Sequence, residues 1–203
     1  MINNIFDDTY SFINNGSSLK NFKKGKNWSY DLKVGDEYFI SGNDIPIKLT
    51  AENEYIVIKP GQFAVLETKE EVSLPNDHIG LISVKFSFKK RGLINVSGFH
   101  VDPLYEGKII FTVFNAGPND VYIKRDEYVF MIFFMELKSK LEQEKNDGYH
   151  SIPKDIVEGL GGGSLTLMEN NKRIDQLEFY MKVIVVPIAL MLIGFLFKQL
   201  FGK

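Results

Sequence analysis

The chain has 203 residues, of which 44% are hydrophobic and 25% charged, a composition typical of one globular domain with an appendage. Its net charge of −2 gives no basic field that would attract nucleic acid, so we expect no nucleic-acid partner. The sequence contains no cysteine, which excludes disulfide bonds, thiol catalysis and zinc sites with cysteine ligands.

The N-terminal segment, residues 1–26, is polar and does not begin with the basic and apolar run of a signal peptide. We therefore expect the soluble part of the protein to lie in the cytoplasm. A solvated surface is the ordinary interpretation of the basic residues in this segment, and a contact with phosphate or anionic lipid is the alternative. These residues are Lys20, Lys23, Lys24 and Lys26.

Residues 28–137 consist of short runs rich in Val, Ile, Phe and Tyr, separated by Gly, Pro, Asn and Asp. This pattern predicts the serial strands of an antiparallel sandwich or barrel. The run YVFMIFFM, residues 128–135, is apolar on both alternating faces, so we expect that strand to be covered on both faces or to lie at a subunit interface. The prediction is an all-β domain over residues 1–140 with its core in residues 28–137.

The next segment, residues 141–164, is charged and rich in glycine, and it is predicted to be a linker. Gly148 and Pro153 interrupt it, so we expect only a short helix and an exposed loop there. The linker is predicted to end in a flexible joint, which has no P-loop lysine and therefore no phosphate-binding role. The joint consists of Gly159, Gly161, Gly162, Gly163 and Ser164.

Residues 165–203 are predicted to form a stalk and a membrane-spanning helix. Heptad positions counted from Leu167 are apolar except for Asn170, which predicts that copies of the helix pack as a coiled coil and that Asn170 sets their register. The seam consists of Leu167, Asn170, Ile174, Leu177, Met181, Ile184, Ile188, Met191 and Phe195.

The run Val183–Phe197 has no charged or hydrogen-bonding side chain. A membrane span needs about 20 apolar residues, and this run reaches that length only if Lys182 and Lys198 extend to the two interfaces. We expect the helix to cross a lipid bilayer once, with Pro187 kinking it or being accommodated by neighbouring helices. A helix lying in the interface or buried in protein is the alternative.

Four segments of the β domain contain candidate family motifs. They are YDLKVG (30–35), IKPGQFAVLETKEEVSLP (58–75), VDPLYEGKIIFTVFNAG (101–117) and IKRDEYVFMIFFMEL (123–137). In this order and spacing they resemble motifs of the family shared by dCTP deaminases and trimeric dUTPases. The resemblance implies a dUTPase-like β-clip, a distorted jelly-roll barrel that assembles as a homotrimer with active sites between subunits.

The resemblance also implies a set of site residues, with departures at the chemical positions. Lys85 stands where the family has a phosphate-binding arginine, and it keeps the charge without the bidentate fork. Phe86 replaces a serine, and its ring would fill space that a phosphate or a water needs. By resemblance, the nucleotide-binding candidates are Lys85, Ser87, Lys90 and Tyr105.

Thr112 aligns with the glutamate that transfers protons in the dCTP deaminases. A threonine hydroxyl is neither a general base nor a general acid near neutral pH, so on this alignment the chain does not deaminate. The catalytic candidate is Asp102, which matches the general base of dUTPases, but Leu104 and Phe130 replace that family's second aspartate and its glutamine. A turn aspartate that bonds its own backbone is the ordinary interpretation of Asp102.

These observations leave three functional hypotheses open. We favour a membrane-anchored, catalytically inactive trimeric module that binds a nucleotide or a partner protein, with a possible role in stress or anti-phage responses. The alternatives are an active deaminase or diphosphatase of pyrimidine deoxynucleotide triphosphates, and an oligomerising scaffold without a ligand. No cofactor or metal site is expected, except for Mg²⁺ accompanying a bound triphosphate.

Overall fold

The computed structural model describes residues 13–14, 29–140, 142, 146–160 and 167–201. The chain divides into two compact units, Met1–Ser164 and Leu165–Lys203, which we call the head and the C-terminal helix. The basic cluster at residues 20–26 and the joint residues 161–164 lie outside the described part, so the predictions for them stay predictions. The expected joint residue Gly159 is described, and it lies inside a helix.

The described part of the head contains twelve strands and two short helices. The strands are β1 Ile13–Asn14, β2 Tyr30–Ile40, β3 Ile47–Lys48, β4 Tyr55–Ile58, β5 Phe63–Ser73, β6 His78–Val84, β7 Leu93–Asn95, β8 His100–Val101, β9 Tyr105–Asn115, β10 Val121–Lys124, β11 Tyr128–Glu136 and β12 Asn146–Asp147. The helices are α1 Phe86–Lys89 and α2 Lys154–Leu160.

Most of these strands belong to one sheet with the order β12-β9-β5-β2-β11-β6-β8, and β1, β3 and β7 pair off this path with β5, β2 and β9, respectively. The sheet curls into a half-barrel around the main apolar core, and β4 and β10 form a separate antiparallel ribbon. All described pairings of the named strands are antiparallel except that of β12 with β9. The all-β prediction is therefore confirmed.

Side-chain alternation explains how the central strands pack. In β9 the odd-numbered residues from Gly107 to Asn115 are buried, while the even-numbered ones are only half-buried, as expected for a strand with one face on the core. Phe111 of this strand stacks on Phe130 of β11, with ring centroids 3.9 Å apart and planes 9° apart. In β11 both alternating sets are largely covered up to Phe134, which agrees with the apolar run in the sequence.

Residues 146–160 pack onto the rest of the head, whereas the sequence predicted a linker over residues 141–164. A second, smaller apolar cluster contains Ile152 and Val157 together with Phe39 of β2 and Val65 of β5. The Ile152 amide donates a hydrogen bond of 2.9 Å to the Glu37 carboxylate. Helix α2 is the short helix that the sequence predicted, and its apolar side chains keep it on the sheet.

The C-terminal helix runs as α3 Leu167–Tyr180, a π-helical segment Met181–Val185, and α4 Val186–Phe201. The Val186 amide bonds to the Met181 carbonyl, five residues back. Pro187 explains this widened turn, because proline has no N–H and its ring clashes with the carbonyl four residues earlier. The stretch Arg173–Gly194 is long and apolar enough to cross a membrane, judged by length and composition alone.

Candidate functional site

A tight turn joins β8 to β9 and carries the predicted catalytic residue. The Tyr105 amide donates to the Asp102 carbonyl at 3.3 Å, so residues 102–105 close a four-residue turn. Pro103 takes the second position, which suits its fixed φ, and Leu104 takes the third with φ 66°. A left-handed φ is unfavourable for a leucine, so this turn holds backbone strain next to the candidate site.

The Asp102 side chain is presented to solvent rather than used to close the turn. It is 64% exposed, and one of its oxygens lies 3.3 Å from His100 Nε2. The His100 ring in turn lies 4.9 Å from the Phe99 ring, measured between centroids. A solvated carboxylate held beside an imidazole can accept a proton or a hydrogen bond from a ligand.

The second candidate, Tyr105, is fixed by backbone contacts. Its hydroxyl donates to the Lys108 carbonyl and accepts a bond of 3.3 Å from the Tyr149 amide. Burial raises the pKa of the Tyr105 hydroxyl above its ordinary value. Gly148 packs against the ring so closely that a Cβ there would lie 2.4 Å from Tyr105 Cζ. The Tyr105 ring is therefore held in one orientation.

Asp102 and Tyr105 line one pocket of about 320 Å³. Its apolar lining includes Ile82, Val101 and Ile109. The sequence did not predict that a segment after β11 completes the lining, with Asp147, Gly148 and Tyr149. Paired glycines are the signal that points to this segment, because Gly107 has φ 154° and a Cβ on it would lie 2.7 Å from the Tyr149 carbonyl oxygen.

Lys85 lies elsewhere in the head, at the position just before α1. Its ammonium forms an ion pair with Asp31 of β2 and lies 5.7 Å from the centroid of the Tyr128 ring. The side chains are only 23% and 13% exposed, respectively, for Lys85 and Asp31. The charge of Lys85 is thus already neutralised within the chain, and Lys85 does not line the pocket.

Helix α1 and the residues after it form an exposed surface. Ser87 and Lys90 are exposed there, and neither lines the pocket. Lys89 donates to Ser83 Oγ at 2.6 Å, and the Arg91 guanidinium lies 5.6 Å from the Phe88 ring. Phe86 is 73% exposed, so within one chain its ring points to solvent and fills no cavity. We call residues 86–91 the α1 surface.

Thr112 and Phe130 are two further positions at which the sequence departs from the motifs it resembles. Thr112 is half-buried on β9, on the same even-numbered face as the pocket residue Ile110, but it does not itself line the pocket. Phe130 is fully buried in the core. Within the described part of the chain, no group of three His, Asp or Glu side chains is arranged to hold a metal ion.

The chain is similar to dCTP deaminases in sequence. A family model described as dCTP deaminase-like matches residues 13–137. A dCTP deaminase of Pyrococcus horikoshii is 32% identical over 109 residues, which cover 54% of this chain and 67% of that protein. A dCTP deaminase of Thermococcus kodakarensis is 29% identical over 120 residues, which cover 59% of this chain and 75% of that protein.

One solved structure shows the same fold at low identity. The 2'-deoxycytidine 5'-triphosphate deaminase from Agrobacterium tumefaciens aligns with a TM-score of 0.51 and 13% identity, covering 62% of this chain and 44% of that one. The native EIAV dUTPase aligns with a TM-score of 0.45 and 18% identity, covering 61% of this chain and 88% of that one. The region matched by the family model contains Asp102 and Tyr105 and ends before residues 147–149.

Proposed function

Because this chain belongs to the dCTP deaminase-like family, we propose that its head is a nucleotide-binding module that does not deaminate, held at a membrane by the C-terminal helix. The pocket bounded by Asp102 and Tyr105 carries this proposal. These are the two positions at which the family resemblance places a ligand-contacting carboxylate and an aromatic ring against a deoxyribose.

The chemistry of the pocket suits the nucleoside part of a nucleotide. Its volume of about 320 Å³ is at the lower end of the range for small-molecule sites, and it combines apolar side chains with a few polar groups. Tyr105 offers a fixed ring edge for a sugar, because its hydroxyl is already bonded to the backbone. These features suit the binding of a nucleoside, and none of them depends on a catalysed reaction.

Loss of deamination follows from the side chain at position 112. Deamination without zinc needs a group that takes a proton from water and another that delivers one to the leaving ammonia. Thr112 offers only a hydroxyl, which ionises far above neutral pH, and it is not among the residues that line the pocket. We therefore expect binding without turnover.

Assembly as a homotrimer would bring the α1 surface of one subunit to another copy. Phe86 is 73% exposed and Phe99 is 68% exposed, so both rings are available for contact with another copy. In such an assembly Ser87 and Lys90 would be available to the phosphates of a ligand seated on a neighbouring subunit. Mg²⁺ would accompany a triphosphate, and no other cofactor is expected.

Membrane attachment is the second part of the proposal. The stretch Arg173–Gly194 supports it by length and apolar composition, with every described side chain in it exposed. The test is fractionation of cells that make the full chain. We expect sedimentation with membranes and resistance to an alkaline wash, and we expect a Leu190→Lys/Ile193→Lys variant to become soluble. Recovery of the unaltered chain in the soluble fraction would end this part of the proposal.

Binding without deamination is tested with the full chain in detergent micelles. We expect dCTP or dUTP with Mg²⁺ to raise the unfolding temperature, because a ligand that binds only the folded state stabilises by about 2.7 kcal/mol at 100 times its dissociation constant. No uracil nucleotide should form from dCTP. Formation of uracil nucleotide above the level of a heat-denatured control would overturn the inactive assignment, and absence of any shift would favour the scaffold hypothesis.

One observation favours a second candidate, a diphosphatase that uses Asp102. The carboxylate is solvated and His100 Nε2 lies within 3.3 Å, so Asp102 is placed to take a proton from water. Release of pyrophosphate from dUTP by the full chain, lost in an Asp102→Asn variant, would establish this activity. Equal release from both proteins would show contamination.

A further inference from the structure

The pocket has a wall that the family match does not include. Residues 147–149 line the pocket, whereas the match to the dCTP deaminase-like family ends at residue 137. This wall belongs to the segment 146–149, which starts with β12 and ends beside Lys108. The function of this segment must therefore be inferred from its own contacts, because the family motif does not include it.

The wall is built into the sheet rather than laid loosely over it. β12 pairs in parallel with the start of β9, with Asn146 opposite Tyr105 and Asp147 opposite Glu106. The Gly148 amide donates to the Glu106 carbonyl at 2.8 Å, and the Lys108 amide donates to the Tyr149 carbonyl at 2.7 Å. Regular backbone hydrogen bonds of this kind fix the position of Asp147 before any ligand arrives.

The wall is also held from its far side. The chain continues from Tyr149 to Ile152, whose side chain is buried and whose amide bonds to Glu37 at 2.9 Å. Helix α2 follows and buries Val157 in the same cluster. Asp147 is therefore anchored on both sides along the chain, which is the arrangement that a specific ligand contact requires.

The charge of the lining indicates what the wall can contact. Asp102 and Asp147 contribute two carboxylates, and none of the described residues that line the pocket is a lysine or an arginine. An anionic group such as a phosphate is repelled from such a lining, whereas a group that donates hydrogen bonds is attracted to it. The two carboxylates therefore accept hydrogen bonds and disfavour a phosphate, while His100 and Ser97 of the same lining can also donate hydrogen bonds.

We propose that Asp147 is a specificity-determining residue of the pocket, accepting a hydrogen bond from a donor group on the nucleoside part of the ligand. This inference rests on the proposed nucleotide-binding function. Two donors fit the chemistry: the exocyclic amine of an aminopyrimidine, which pairs with carboxylates, and a hydroxyl of the sugar. Asp147 discriminates against ligands that present an acceptor at the same position.

The experiment measures dissociation constants by calorimetry with the full chain in detergent micelles. The ligands are deoxycytidine, deoxyuridine and dideoxycytidine, and the proteins are the unaltered chain, Asp147→Asn and Asp147→Ala. An Asp44→Asn variant is the matched control, because Asp44 is exposed in the β2–β3 connection and does not line the pocket. Inorganic tripolyphosphate serves as the probe for the phosphate part.

We expect Asp147→Ala to raise the dissociation constant of the preferred nucleoside by roughly 10- to 100-fold, which is the effect of losing a hydrogen bond to a charged acceptor. If the donor is the base amine, deoxycytidine binds more tightly than deoxyuridine and Asp147→Asn reduces that ratio. If the donor is the sugar hydroxyl, the loss is instead seen for both deoxynucleosides and not for dideoxycytidine. Binding of tripolyphosphate and the Asp44 control should be unaffected.

Two results would overturn the inference, and they are distinguishable. If the unaltered chain binds nucleosides and both Asp147 variants bind them equally well, Asp147 has no role and the proposed function survives. If the unaltered chain binds no nucleoside and no nucleotide, the proposed function and this inference fail together. The isosteric Asp147→Asn variant keeps the test valid if Asp147→Ala is poorly folded.

Discussion

Replacing Gly148 by alanine tests how tightly the pocket wall is packed. A Cβ at this position would lie 2.4 Å from Tyr105 Cζ and 2.8 Å from the Glu106 carbonyl oxygen. The Tyr105 ring cannot turn away freely, because its hydroxyl is bonded to the Lys108 carbonyl. Overpacking of this kind costs about 1–3 kcal/mol, and the stiffer unfolded chain offsets about 0.4–1 kcal/mol of it.

The net expectation for Gly148→Ala is a loss of about 0–2.6 kcal/mol of stability, and the middle of that range is about 1–2 kcal/mol. For a domain of this size that lowers the unfolding temperature by roughly 2–8 °C. The matched control is Gly159→Ala in α2, where the added Cβ meets nothing within 4 Å. There the same substitution should stabilise by roughly 0.5–1 kcal/mol, because alanine favours a helix over glycine.

The assay is thermal unfolding of the full chain followed by intrinsic fluorescence, with both variants measured side by side. The reasoning predicts shifts of opposite sign from the same chemical change. If Gly148→Ala were neutral or stabilising while Gly159→Ala behaved as expected, the wall would not be packed against Tyr105. That result would also weaken the claim that the wall is positioned before a ligand binds.

Three further predictions concern charges and strain. Lys85→Met should destabilise by about 1–3 kcal/mol, because it leaves the poorly exposed Asp31 carboxylate without its cation, and adding Asp31→Asn should restore part of the loss. Burial raises the pKa of Glu67 above its ordinary 4.5, although Lys108 acts in the opposite direction. Stability that is complete below pH 4.5 should therefore fall as the pH rises through the folded-state pKa, and Glu67→Gln should remove that fall. Leu104→Asn should stabilise by about 0.5–1 kcal/mol, because asparagine tolerates a φ of 66° better than leucine.

Urea midpoints measure all three. Additive effects in the Lys85 and Asp31 double mutant would mean that their ion pair contributes nothing. An unchanged pH profile in Glu67→Gln would mean that another group causes the fall. A lower midpoint for Leu104→Asn would mean that the leucine side chain contributes more by packing than its backbone loses by strain.

The sequence predicted the head well wherever a local rule was sufficient. Alternation in 28–137 predicted the strands, and the Pro60–Gly61 pair marks a turn in which Gly61 has φ 78° and the Gln62 amide bonds to the Lys59 carbonyl at 3.1 Å. The apolar run in β11 predicted a strand covered on both faces or lying at a subunit interface, and in one chain Ile132 is buried, Phe133 is half-buried and Met135 is exposed. Each of these features depends on neighbouring residues, so it is readable without the fold.

Features that depend on distant residues were not predictable in the same way. Asp147 reaches the pocket only because β12 pairs with β9, about 40 residues earlier in the chain, and the family motif gives no sign of it. The Lys85 ion pair with Asp31 likewise joins β2 to α1 and cannot be inferred from the spacing of charges. The heptad seam did not predict the π-helical segment, which adds a residue to one turn and so shifts the seam across Met181–Val185.

The attachment of α2 also has a mechanical consequence. Tension applied along the C-terminal chain reaches α2 before it reaches any strand. Helix α2 and the residues before it are held mainly by the buried side chains of Ile152 and Val157 and by one hydrogen bond to Glu37. The central strands are joined instead by many backbone hydrogen bonds. Under tension α2 would therefore detach from the sheet first. Asp147 lies only seven residues before the first residue of α2. Force applied from the C-terminal side would thus displace the pocket residue Asp147 before the long strand ladders of the sheet separate.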